Sequence, residues 1–188
     1  TIIASGIELI ITVDNGISAL EEIRRAKEAG LEVVVTDHHA LPQQLPPADA
    51  VLDSAFEPED SPSRYLCGAA MAFKLISALE QQAQGDDVQE MMLAQYGDLV
   101  AIATLADVVP LTGENRTLAR MGLEILAQTQ RPGLQALARN AKADLTTCQS
   151  VTVSFLIAPR INVTGRIGSV DTAVQLLLTQ DEEQADLL

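Results

Sequence analysis

The 188-residue chain has no tryptophan, only 3% aromatic residues, and 12 lysines and arginines against 26 acidic residues. The shortage of aromatics denies it a platform for stacking single-stranded nucleic acid, which needs aromatic side chains along a basic groove. The shortage of basic residues leaves a formal net charge of −14. Such a surface repels polyanions unless bound cations or another domain reverse the field locally. Two cysteines, Cys67 and Cys148, are too few for a disulfide framework and sit in apolar helical patterns, which fits a reduced, cytoplasmic setting. No apolar run approaches the roughly 20 residues that cross a bilayer, so no membrane partner is expected. The opening Thr1-Ile2-Ile3 has neither the charged start nor the cleavage pattern of a signal peptide. Hydrophobic residues, by contrast, make up 47% of the chain, enough for a substantial core in one globular unit with up to two lobes. The first residue is not methionine, so the chain is expected to be a piece of something longer.

The first third has a strand–helix–strand rhythm. Residues 8–13 form a short β-branched run that reads as a buried strand. Residues 18–29 place Leu20, Ile23 and Ala26 at helical spacing, with Gly30 positioned as a C-cap. Residues 31–36 read as a second strand and residues 48–52 as a third, after a proline-rich loop. Strands separated by a helix imply a parallel sheet. Beyond the turn-rich residues 57–63, helix is expected over 67–82, 88–96, 99–106, 115–127, 133–141, 148–158 and from 171 onward. The fold class is α/β: a parallel sheet with flanking helices over residues 1–60, followed by a mainly helical segment over 61–188 that ends in the start of a connecting helix. Three strands are few for a covered parallel sheet, so further strands are expected upstream of Thr1.

Four places could carry chemistry. Asp37-His38-His39 contains the only two histidines and follows a predicted buried strand, at the sheet edge where α/β proteins bind ligands. The plainer alternative is a polar triplet opening a solvated loop. Asp14 closes the first strand on the same edge; alternatively it caps the following helix, or Asn15-Gly16 is simply a turn. Asp107 is the one carboxylate in the otherwise apolar residues 99–111. Buried there, it must be neutral, hydrogen-bonded or bound to a cation; as a helix-terminal acid it could instead be satisfied by backbone amides before Pro110. Two carboxylates and an imidazole suit Mn²⁺ or Mg²⁺, ions that activate phosphoryl groups for in-line attack. Around a helix break expected at Pro159, Arg160, Asn162 and Arg166 carry donors that match phosphate oxygens, unless the arginines pair with the surplus acids of a surface loop.

In order, these segments resemble the RecJ branch of the DHH phosphoesterase family. ITVDNGI (residues 11–17) looks like its second motif, VTDHH (35–39) its third, AIATLADVVPLTGENR (101–116) its fourth and IAPRINVTGR (157–166) its fifth. CGAAMAFKL (67–75) is similar to the helix between the third and fourth. The resemblance implies a 5′→3′ single-strand-specific DNA exonuclease of recombination and repair using two Mn²⁺ or Mg²⁺ ions. Its partners would be single-stranded DNA and proteins of replication and repair. It makes Asp14, His38 and Asp107 metal ligands and turns His39 toward the scissile phosphate. Asp37 would support the site as a ligand or by orienting a histidine, and Arg160, Asn162 and Arg166 would hold phosphates or the metal-site loop.

The family's first motif, its downstream substrate-binding domain and its OB domain are absent from this sequence. Val163-Thr164 replaces smaller residues, and Asp53-Ser54-Ala55 stands where Asn-Pro is common. By itself the chain is therefore expected to bind single-stranded DNA poorly and to cleave little or nothing. Two other functions compete: a DHH phosphodiesterase acting on short oligonucleotides or cyclic dinucleotides, and a catalytically dead scaffold, against which the retention of Asp14, His38, His39 and Asp107 counts.

Overall fold

A computed structural model describes residues 2–85, 88–167 and 169–188, with side chains other than those of residues 3 and 165–167. Three strands, β1 (Leu9–Val13), β2 (Glu32–Asp37) and β3 (Ala50–Asp53), form a parallel sheet in the order β1-β2-β3. The period of two puts Ile10, Val33, Val35 and Val51 on one face. That face packs on Ile23 and Ala26 of helix α1 (Leu20–Glu28), whose Glu21, Glu22 and Arg25 point to solvent. Val33 and Val35 of the central strand are fully buried, as a continuous β-branched run predicts. Strand β1, also expected to be buried, is not, because among the described strands it lies at the sheet edge, with Leu9, Ile11 and Val13 exposed on the face away from α1. Helix α2 (Gly68–Gln84) packs against β1 and β2.

The remaining described helices are α3 (Gln89–Ala106), α4 (Gly113–Leu126), α5 (Pro132–Ala141), the short α6 (Ser150–Thr152), α7 (Ala158–Ile167), α8 (Val170–Leu178) and α9 (Glu182–Leu187). None of the described helices is long and apolar enough to cross a membrane. The chain divides into two compact units, each discontinuous. Unit 1 comprises residues 1–89 and 109–116, and unit 2 comprises 90–108 and 117–188. Unit 1 is closed by the returning segment: Asn115 Nδ2 donates to the carbonyls of Tyr65 (2.5 Å) and Pro110 (3.1 Å), and Glu114 N–H donates to Pro62 O at 2.9 Å. Unit 2 gathers Ile102, Leu126, Leu134, Val153 and Ile157 in one core.

Two expectations about helices change. Residues 88–96 and 99–106 form the single helix α3, because one glycine inside a helix costs only about 1 kcal/mol and α3 buries Met92, Val100, Ala101, Ile102 and Leu105. Residues 148–158 are not one helix: α6 runs into a π-helical turn, Val153–Ile157, and then into α7. Pro159 does not break this path. It lies just past the π-helical turn inside a continuous helical path, and leaves that path one N–H donor short.

Candidate metal centre

The site begins where β1 ends. Asp14 continues the ladder by one bond, its N–H donating to Thr36 O at 3.0 Å, and then takes a left-handed φ of +61°. The turn is held by Thr12 Oγ1 donating to Asn15 O (2.7 Å) and Asn15 Nδ2 donating to Val13 O (3.0 Å). Gly16 is required here, because its φ is +112° and a Cβ would stand 2.6 Å from Thr12 Oγ1. Helix α1 starts only at Leu20, and its N-cap, Ala19, makes no side-chain cap bond. Asp14 is therefore no helix cap. Its Oδ1 lies 2.9 Å from His38 Nε2.

The end of β2 supplies the other half. Asp37 is buried, and its Oδ2 accepts from Ile17 N–H at 2.9 Å. Its Oδ1 accepts from His38 N–H (2.8 Å), His39 N–H (3.3 Å) and His39 Nδ1 (2.6 Å). Burial pushes the Asp37 carboxyl up, but the His39 ring bond and the three backbone bonds outweigh it and hold the group below its ordinary value. An ionised carboxylate at Nδ1 makes that nitrogen the donor, so a neutral His39 ring carries its lone pair on Nε2. The two imidazoles stand with centroids 4.5 Å apart. Asp14, His38 and His39 each offer one ligand atom, all within 4.8 Å of one another. Bonds of about 2.1 Å to a Mg²⁺-sized ion leave neighbouring donors roughly 3 to 4 Å apart. Asp14 Oδ1 and His38 Nε2, 2.9 Å apart, have that spacing, so this carboxylate and imidazole fit a divalent cation with the His39 ring beside them.

Asp53 entered the sequence reading only as standing where Asn-Pro is common, and not as a site residue. It ends β3 directly beside Asp37 in register, 5% exposed, with Oδ1 accepting from Ala55 N–H at 2.7 Å and Oδ2 lacking any hydrogen-bond partner. Burial raises its pKa, opposed by the Ala55 bond and reinforced by the charge of Asp37. A raised folded pKa gives stability that is present below the ordinary value and is lost as pH rises through the folded one. Asp53→Asn removes the buried charge and is expected to raise the melting temperature near neutral pH by several degrees, on the order of 1 kcal/mol. Thermal melts across the acid-to-neutral range should show the gain vanishing in acid; a gain independent of pH would refute the assignment.

The remaining expected site residues belong to unit 2. Asp107 follows the last turn of α3, its N–H donating to Ala103 O at 2.9 Å. It is exposed, which corrects the expectation of a buried carboxylate: α3 ends one residue earlier, and the chain turns outward through Val108 at φ +57°. A β-branched residue held left-handed is strained, a condition that concentrates at functional sites. Arg160, on α7, donates to Asn140 Oδ1 (3.3 Å) and Leu156 O (2.7 Å) and lines a cleft of about 420 Å³ with Asn140, Thr164, Thr172 and Asp186. Asn162 is exposed and does not line that cleft. The side chain of Arg166 lies outside the described residues. Asp14, Asp37, His38 and His39 are thus brought together within unit 1.

Residues 2–104 match the DHH family, N-terminal domain. Over 183 residues, 97% of this chain, the sequence is 42% identical to the single-stranded-DNA-specific exonuclease RecJ of Bacillus subtilis strain 168, covering 22% of that protein. It is 38% identical to the protein of the same description from Escherichia coli K12, across 98% of this chain and 33% of the relative. Among solved structures, RecJ from Thermus thermophilus in complex with Mn²⁺ superposes with a TM-score of 0.83 at 37% identity, over 96% of this chain and 26% of that one. The chain therefore spans between about a fifth and a third of the curated relatives' length.

Proposed function

The chain belongs to the DHH family, and on that premise we propose that it is part of the catalytic core of a longer metal-dependent 5′→3′ exonuclease acting on single-stranded DNA in recombination and repair. The convergence of Asp14, His38 and His39 carries this reading. Family relatives described as single-stranded-DNA-specific exonucleases, and structural neighbours containing Mn²⁺ or Mg²⁺, support the substrate and the ions.

In this reading Asp14 and His38 would hold a divalent cation, with Asp107 a further ligand. Divalent cations supply Lewis acidity toward phosphodiester oxygens at neutral pH. Asp37 fixes the ring of His39 through Nδ1, so that Nε2 is presented to the scissile phosphate. Asp37 acts by orientation, and its four accepted bonds support that role. Arg160, Asn162 and Arg166 hold phosphates along the strand. A cytoplasmic location and partners among replication and repair proteins accompany this function. With a net charge of −14, this chain alone is expected to bind single-stranded DNA weakly and to release few nucleotides.

The deciding experiment uses the whole protein, Mn²⁺ and end-labelled single-stranded DNA, with a dinucleotide as the competing substrate. Asp107→Ala should leave the fold intact, because removing a carboxylate from a metal site relieves repulsion when no ion is bound. Cleavage should fall on the order of a hundredfold or more, at the upper end of what loss of metal-site support costs. Near-normal rates would remove Asp107 from the ligand set, and preference for the dinucleotide would move the protein to another DHH branch.

A further inference from the structure

The first residue of α2, Gly68, lies against Asp14 so closely that no side chain can be placed there. A Cβ on Gly68 would stand 2.5 Å from Asp14 Cγ and closer still to its Cβ and Oδ1, well under the 3.0 Å that real Cβ contacts keep. Gly68 itself is buried and helical, and among the glycines with described contacts it is the one whose missing Cβ would meet a candidate ligand's carboxylate. Its φ is not in the left-handed range, so backbone conformation does not demand glycine. Space does. Gly68 is the first residue of a 17-residue helix, and the N-terminal end of a helix carries a partial positive charge that favours a carboxylate beside it.

We propose that Gly68 is a positioning residue for the metal centre: by presenting a bare Cα at the start of α2, it lets Asp14 lie flat against the helix end with Oδ1 turned to His38. The inference rests on Asp14 being a metal ligand. Asp14 is already held in a left-handed turn at φ +61°, so it has little freedom to evade an added methyl group. Any side chain at position 68 must displace the carboxylate from the 2.9 Å contact with His38 Nε2, and with it the donor spacing on which ion binding depends.

The test compares Mn²⁺ titrations, read by electron paramagnetic resonance of the free ion, for the unmodified chain, Asp14→Ala and Gly68→Ala, with thermal melts of the metal-free proteins. Gly68→Ala is expected to weaken Mn²⁺ binding roughly tenfold or more, the scale on which groups supporting a ligand act. Unweakened binding in Gly68→Ala, with loss in Asp14→Ala, overturns the positioning role and leaves Asp14 a ligand; undiminished binding in Asp14→Ala overturns the metal reading itself. The melts separate a clash from a helix defect. In an Asp14→Gly background, which removes the opposing side chain, Gly68→Ala should cost no stability, and it should restore folding if the single variant does not fold. A Gly68→Ala cost that persists undiminished in that background overturns the proposal.

Discussion

Asp98→Ala is expected to destabilise unit 2 by about 3–5 kcal/mol, the cost of breaking a buried ion pair from one side. Asp98 stands in the middle of α3 with its side chain 5% exposed. Its carboxylate accepts from Thr129 Oγ1 at 2.7 Å and from Arg131 Nε at 3.1 and 3.2 Å. Arg131 Nη2 continues to the Gln95 carbonyl, and Arg131 is also the N-cap of α5. One acid therefore ties the middle of α3 to the turn between α4 and α5. Alanine leaves a guanidinium 20% exposed and a buried hydroxyl without their acceptor. Urea denaturation should show the midpoint falling at unchanged slope. Removing both partners, Asp98→Ala with Arg131→Ala, should cost less than the sum of the single changes, because no uncompensated charge then remains. Additive costs would mean that the pair is not coupled.

Asp37→Ala is expected to disable the metal centre and weaken unit 1 together. Asp37 answers three backbone N–H groups and one imidazole; each buried donor left without an acceptor costs about 1–3 kcal/mol. Loss of the Nδ1 bond frees the His39 ring to rotate and to change tautomer, so cleavage by the whole protein should fall on the order of a hundredfold. Asp37→Asn keeps the shape but puts two donors where only acceptors are wanted, and should rescue little. The pH dependence follows from the sign of the shift. A carboxyl held below its ordinary value contributes stability above that value and loses it as pH falls through the folded one. The difference in stability between the native protein and Asp37→Ala should therefore be constant near neutrality and shrink in acid, as read by denaturation at a series of pH values. A difference that stays constant in acid would mean that Asp37 is not held as an anion.

The sheet and the acids at its strand ends were legible because period and position coincide there. The β-branched runs of β1 and β2 each end in Asp, and parallel pairing brings those ends to one edge. The partner of Asp37 was not legible, since only the register of β3 puts Asp53 beside it. The apolar stretch of α3 misled in an instructive way. Asp98 and Asp107 bracket the same hydrophobic residues, and reasoning from desolvation assigned the burial to Asp107. The fold buries Asp98, which has Arg131 within reach, and leaves Asp107 at the helix exit. Sequence separation hid the cause: Arg131 is 33 residues from Asp98, beyond any local pattern. Gly68 was visible only as part of a motif, because its closeness to Asp14 depends on how α2 meets the sheet.

The return of residues 109–116 to unit 1 sets an order of events on the ribosome. When residue 89 has emerged, every strand of unit 1 is free to pair, yet the carbonyl of Tyr65 still awaits Asn115, 50 residues downstream of it, and that of Pro62 awaits Glu114. Between them comes the body of α3, which belongs to unit 2. Unit 1 therefore cannot close when its first segment leaves the exit tunnel, although domains generally fold as units from the N-terminus during synthesis. It closes only after part of its neighbour has been made, so a pause in translation between residues 89 and 116 would hold the nascent chain with its sheet paired and its last backbone acceptors answered by water.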